Sequence, residues 1–419
     1  MEIYKWGDMF CGAGGNATGT VEALDDNEVT FDGWAIDHWD RAVETMHLNH
    51  PRVHALVQDL TVVIPSETIP GRHLDHLHAS PSCTHHSRAC GGRPRSNQLR
   101  AQPNIVLDWV DDVDVSRMSV ENVPEFTNWG PLDDEGNIIK AQKGTLFDCW
   151  IESLEKRNYD VEWRIINCAD FGDATTRKRF FLKAVKKGRG KIVWPEPTHA
   201  KNGAGGLLPW KSVGECLDFA DTGTSIFNRK KPLVPDTMER IAVGAKKYWG
   251  VDIKPFIVRM NRNCYAESID DPCSTLTTSG AHHMLCTPII VDHCRGGVAS
   301  SIDSPIGMQM THDRYSLVTP LVLGQQGGAA CRPVTEPCPT IACGGFIRTI
   351  YPELADGRLV DIHIRMLRPD ELQRIHSFPD DYVICGNRCE KVKQIGNSVP
   401  VLTARAMMNA DLAADGLAA

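Results

Sequence analysis

The 419-residue chain has no apolar run long enough to cross a bilayer, so no membrane partner is expected. Its first residues, Met1–Asp8, lack the apolar core of a secretory signal, and the expected compartment is the cytoplasm. Positive charge is in short supply: 45 Lys and Arg stand against 53 Asp and Glu, a net charge of −8. That excludes a molecule that binds polyanions over its whole surface. A nucleic-acid contact has to be a local basic patch on an acidic body. Cysteine is not scarce, at 15 residues, but an odd number without framework spacing argues against a secreted disulfide scaffold and for a reducing compartment. The cluster His282, His283, Cys286, His293 and Cys294 has no Cys-x-x-Cys pair, and no metal is expected.

What is present is ordinary globular composition, 42% hydrophobic and 23% charged, in a chain long enough for two domains. Short apolar runs at residues 34–36, 54–57, 74–79, 115–120, 161–166 and 180–185 alternate with helical stretches such as Arg41–Asn49 and Gly144–Lys156. This alternation predicts an α/β fold: a doubly wound, mostly parallel Rossmann-like sheet whose ligands sit beyond the carboxyl ends of its strands. Pro and Gly punctuation from Trp194 to Gly206 marks a boundary. The expected division is 1–195, then a smaller β-rich domain at 196–362, then a segment at 363–419 that returns to the first domain. The final segment reads as helical over Arg365–His376 and again over Val392–Met408. Three irregular repeats fall in the middle region, beginning at Ser268, Ser301 and Pro333, with anchoring prolines 272, 305 and 337 spaced 33 and 32 residues apart.

The chemistry is written in short motifs. Gly12-Ala13-Gly14-Gly15 makes a strand-to-helix turn that lets backbone approach an anionic or nucleotide-like ligand. Asp37 and Asp59 follow the next two strands, where a carboxylate accepts from ribose hydroxyls and from an adenine amino group. Cys83, in Ser80-Pro81-Ser82-Cys83, precedes a loop carrying Arg88, Arg93, Arg95 and Arg100, which favour a thiolate nucleophile. Glu121 at a strand end can donate to a ring nitrogen if it is held protonated. Arg177 and Arg179 alternate and so share a strand face. Residues 174–194 contain eight Lys or Arg and no acid, the clearest sequence candidate for a phosphate-facing patch. A cofactor turn, a nucleophile, an acid and two arginines suggest a transferase that attacks a base through sulfur.

In this order the motifs resemble the DNA (cytosine-5)-methyltransferase family. Asp8–Gly15, Ser82-Cys83, Glu121-Asn122-Val123, Arg177-x-Arg179, Arg365 through Pro379, and Gln394–Pro400 match its six ordered motifs. The resemblance covers about 1–195 and 363–419, and the middle stands where the family puts its target-recognition domain. It implies transfer of a methyl group from S-adenosyl-L-methionine to C5 of cytosine in double-stranded DNA, on a base flipped from the duplex. Cys83 would attack C6, Glu121 would hold N3, and Arg179 would hold O2 with Arg177 in support. Phe10, Gly12, Ala13, Gly14, Gly15, Asp37, Asp59, Leu60, Asn397 and Ser398 would contact the cofactor. His38 stands where an aromatic residue stacks on adenine. Ser82, Ser87, Arg88 and Val123 would contact the substrate. The resemblance also implies a monomer on DNA in a restriction-modification or phage self-protection context. Ser82, Thr84 and Thr175 depart from the family's usual Pro, Gln and Gln. Cytosine-5 methylation of RNA and a catalytically silent DNA-binding relative are the alternatives.

Overall fold

A computed structural model describes residues 3–82, 100–226, 231, 233–234, 237, 241, 255–259, 266–276, 283–290, 300–301, 321–324, 332–333, 347–349 and 360–418. The chain divides into two compact units. The first comprises residues 1–216, 272–280 and 369–419, and the second 217–271 and 281–368.

The first unit is built on a seven-stranded sheet. Its strands are β1 (Tyr4–Met9), β2 (Phe31–Asp37), β3 (Val53–Val57), β4 (His73–Ala79), β5 (Asp114–Asn122), β6 (Tyr159–Asn167) and β7 (Lys178–Lys186), in the order β3-β2-β1-β4-β5-β7-β6. The first five are mutually parallel; β7 runs antiparallel to both β5 and β6. The strand order reverses between β1 and β4, where a doubly wound sheet opens a ligand crevice. β1 and β5 are buried along most of their length, as expected of strands covered on both faces. The mostly parallel, doubly wound fold expected from the sequence is the one observed.

Helices α1 (Gly15–Asp26), α2 (Asp40–Asn49), α3 (Asn104–Asp112) and α4 (Thr145–Lys156) cross between the strands. The chain ends in α5 (Pro369–Ile375), α6 (Arg388–Asn397) and α7 (Val401–Ala414). The helical reading of Arg365–His376 is corrected at its start. Arg365 and Met366 lie in a strand paired with Leu285 and Met284, and the helix begins only at Pro369. The reading of Val392–Met408 as one stretch is corrected by a break at Ser398–Pro400, since Pro400 cannot donate into a continuing helix.

α7 is fixed to the sheet by buried charge. Asp173 accepts from Thr403 Oγ1 (2.6 Å) and Thr403 N (3.0 Å), placing a carboxylate at the helix N-terminus. Lys183 Nζ on β7 lies 3.0 Å from Asp411 Oδ1 and donates to Val193 O and Met407 O. α1 packs so closely on this region that a Cβ on Gly15 would stand 2.1 Å from the Val399 carbonyl.

The second unit carries antiparallel strands. Val360–Met366 pairs with Thr224–Ser225 and with His283–Ile290, which in turn pairs with Phe256–Arg259 and Ser300–Ser301. Its core includes Phe256, Val258, Met284, Cys286, Ile362 and Ile364. Beyond Ser301 and Pro333, the second and third repeats lie outside the described residues, as do His282, His293 and Cys294. No described helix is long and apolar enough to cross a membrane.

Candidate active site

The ends of β1, β2, β4 and β5 open into one cavity of about 270 Å³ within the first unit. One wall is made by the turns after β1 and β2. Phe10 adopts φ +60°, a left-handed conformation that costs a non-glycine residue about 1–2 kcal/mol and recurs at functional sites. Gly12 N–H donates to Asp37 Oδ2 at 3.0 Å, and Trp39 N–H donates to Asp37 Oδ1 at 2.9 Å, so one carboxylate ties the two turns together. His38 Nδ1 lies 3.2 Å from Asp37 Oδ1, a contact that raises the His38 pKa. Asp8 is fully buried in this wall. Its Oδ2 accepts from Asn16, while Oδ1 has no hydrogen-bond partner among the described residues. Burial, opposed by Asn16 and assisted by Asp37, pushes its pKa up to about 7.

The opposite wall carries Glu121 and Arg177. Glu121 ends β5, and Arg179 on β7 sets its Nε 2.9 Å from Glu121 Oε1, with both side chains buried. The β5–β7 register, which pairs Glu121 with Phe181, brings the two strands' ends together. Arg177 is buried and donates through Nη1 to Gly396 O at 2.9 Å, a cation placed on the C-terminal turn of α6. The next residues, Asn397 at the end of α6 and Ser398 just after it, line the same cavity. Ser398 Oγ donates to Ile395 O and contacts His376 Nδ1. Burial and then the two arginines depress the His376 pKa well below the ordinary value, so the ring is neutral.

The segment leading to Cys83 is held in the cavity wall up to its last described residue. Ser80 N–H donates to Met9 O, Asn122 Nδ2 donates to Pro81 O at 3.1 Å, and Ser82 N–H donates to Gln102 Oε1 at 3.0 Å. Cys83, Ser87 and Arg88 lie outside the described residues. Cys11 also lines the cavity, but burial, Asp37 and Asp8 raise its pKa, which disqualifies it as a thiolate.

The cavity therefore collects Phe10, Gly12, Asp37, His38, Ser82, Glu121, Arg177, Asn397 and Ser398. It does not collect all the residues expected there. Ala13, Gly14 and Gly15 stand behind the wall. Val123 is buried beside Asn122. Asp59 is exposed, accepts from Thr61, and borders a separate groove of about 590 Å³. Leu60 belongs to the hydrophobic core. The cavity is also lined by Asp8, Trp39, Gln102 and Lys393, none of which the sequence singles out as a site residue. Trp39, beside the expected His38, is the larger aromatic surface, with Lys393 Nζ 4.4 Å from its ring centre.

The basic run at 174–194 does not make the expected phosphate-facing patch as a whole. Arg177, Arg179 and Lys183 are buried and engaged. Lys186 and Arg189 pair with Asp114, which they pull down to a pKa of about 2. Acids distant in sequence supply the neutralising charge that the run itself lacks.

The first unit is thus an α/β doubly wound sheet with an acidic cleft at its switch point and a paired glutamate and arginine beside it. The chain belongs to the C-5 cytosine-specific DNA methylase family, whose profile matches residues 4–204 and 301–411. Its class of activity is that of a DNA cytosine-5 methyltransferase. The chain is 24% identical, over 96% of its own length and 94% of the relative's, to a putative type II methyltransferase, M.OihORF3336P, of Oceanobacillus iheyensis. It is 26% identical to DNA (cytosine-5)-methyltransferase 1B of Oryza sativa subsp. japonica, over 46% of this chain and 14% of that one. A solved Entamoeba histolytica methyltransferase, EhMeth, superposes with a TM-score of 0.51 at 13% identity and 99% coverage of both chains.

Proposed function

We propose that this chain transfers a methyl group from S-adenosyl-L-methionine to C5 of cytosine in double-stranded DNA. The observation that carries the reading is the single cavity with two chemically different walls, one acidic and backbone-built, the other bearing Glu121 and Arg177. The acidic wall fits the cofactor. Asp8 offers a buried carboxylate oxygen, unpartnered among the described residues, to a cationic or N–H group, and Phe10 and Trp39 offer aromatic surface to a heterocycle. Phe10, Gly12, Asp37, Trp39, Asn397 and Ser398 would hold it. Bound there, its sulfonium supplies an electrophilic methyl group.

The protein's own groups do the rest. Glu121, held by Arg179, hydrogen-bonds N3 of the base and follows the charge that develops as C6 is attacked. Arg179 supports O2. Arg177 fixes the end of α6 and with it Asn397 and Ser398. Cys83 forms the bond to C6, C5 then takes the methyl group, and loss of the C5 proton with release of the Cys83 sulfur restores the ring. The base reaches the cavity by flipping out of the duplex. Residues 196–362, most of which fall in the second compact unit, act as the target-recognition part, because a pocket filled by one base cannot read its neighbours.

The reading is tested with duplex DNA carrying 5-fluorocytosine at the methylated site. Fluorine cannot leave as a proton does, so wild-type protein and donor should yield a covalent complex that survives denaturation. Cys83→Ala should yield none. An adduct of equal amount with Cys83→Ala would reassign the nucleophile.

A further inference from the structure

The cofactor turn is fastened from the far end of the chain. Tyr382 lies in the connection between α5 and α6, and its buried hydroxyl donates to the Ala13 carbonyl at 2.6 Å. Its ring packs on Phe378, with centroids 4.7 Å apart, and on His50 at 5.8 Å. Its own backbone is tied down, since Gln373 Nε2 donates to Tyr382 O and Tyr382 N–H donates to Pro379 O. Burial holds the phenol protonated, so it stays a donor.

The turn needs such a fastening. Between Gly12, whose amide is committed to Asp37, and α1, which starts at Gly15, the chain passes through Gly14 at φ +81° with no side-chain cap on the helix. Gly14 O is held by Thr18 N and Thr18 Oγ1, both at 2.7 Å. Ala13 O is held by Tyr382. Space under the turn is fully used: a Cβ on Gly14 would meet Met46 Sδ at 2.2 Å and Tyr382 Oη at 2.7 Å. Left-handed glycine is free in isolation and adopts many conformations at little cost. A turn pinned on both sides of that glycine has one.

We infer that Tyr382 is a positioning residue for the methyl donor: its bond to Ala13 O sets the shape of the Gly12–Gly15 turn, and thereby donor affinity, without touching donor or base. This rests on the proposed donor site. Removing the phenol leaves a buried carbonyl without its donor and lets the turn sample other shapes, so pre-organisation is lost. Because the base wall lies on other strands, the chemical step at saturating donor is unaffected.

Tyr382→Phe removes one oxygen from an otherwise unchanged ring. Calorimetry with S-adenosylmethionine should show binding weaker by about tenfold, with donor KM rising in parallel and kcat within about twofold. Phe378→Leu loosens the same aromatic stack but keeps the phenol; it should lower the thermal midpoint and leave donor affinity unchanged. Equal donor affinity in Tyr382→Phe and wild type overturns the inference. So does an equal loss in Phe378→Leu, which would mark the effect as general loosening. If wild-type protein binds no S-adenosylmethionine, the donor site itself is misassigned and the inference falls with it.

Discussion

The two walls of the cavity are built on opposite principles. The proposed donor wall is mostly backbone, two turns shaped by Asp37, Thr18 and Tyr382 and sealed by helix α1. The proposed base wall is mostly side chain, a buried Glu121–Arg179 pair on neighbouring strands with Arg177 beneath α6. A backbone wall is adjusted by residues that never meet the ligand, whereas a side-chain wall fails at once when a single functional group is lost. The donor wall should therefore degrade in steps through affinity, and the base wall should fail through kcat.

The sharpest way to break this contrast is at Glu121. Glu121→Gln keeps shape and removes the carboxyl group that can pass a proton to N3 as C6 is attacked, so kcat should fall by roughly 10²–10⁴ with donor affinity unchanged. A loss expressed mainly in donor KM would mean the walls are not separable. Asp37→Ala should do the reverse. It removes an acceptor for two backbone amides and for the ligand, and donor binding should weaken by about 1.5–3 kcal/mol in calorimetry. Gly15→Ala sharpens the comparison from behind the donor wall. Its Cβ meets the Val399 carbonyl, and a cost of about 1–3 kcal/mol should appear as a lower denaturation midpoint.

The last prediction concerns pH. His76 and His78 on β4 are buried, and burial lowers each pKa from 6.5 to about 3. The unfolded chain therefore binds more protons than the folded one between those values. Their contribution to stability is complete above pH 6.5 and shrinks as pH falls toward 3, by at most about 1.4 kcal/mol per pH unit for each ring. Replacing His78 by Asn should flatten the acid side of the stability profile relative to wild type. Parallel profiles would show that His78 is not held neutral.

The same contrast explains what could be read in the sequence. Sheet and helices were legible because strands such as β5 and β7 carry their burial in local apolar runs. Glu121 and the Arg177–Arg179 pair were legible because side-chain chemistry sits in short motifs. The supports of the donor wall were not. Tyr382 meets Ala13 across 369 residues, and no local pattern announces such a contact. Trp39 carries no motif signal of its own beside His38, although both rings line the cavity. The basic run at 174–194 misled for a related reason. Its acids, Asp114 and Asp411, arrive from β5 and α7, and a charge count along the chain does not see them. Asp59 satisfied the strand-end rule yet turned to Thr61 in its own loop.

The central claim is methyl transfer to carbon 5 of cytosine, and it is tested most directly on the product. Purified protein is incubated with duplex DNA and S-adenosylmethionine labelled in its methyl group, and the DNA is digested to nucleosides and resolved by mass spectrometry. The account predicts labelled 5-methyldeoxycytidine, absent when Cys83→Ala replaces the wild type. Label on an exocyclic nitrogen, label only in RNA offered in parallel, or product formed equally well by Cys83→Ala would contradict it.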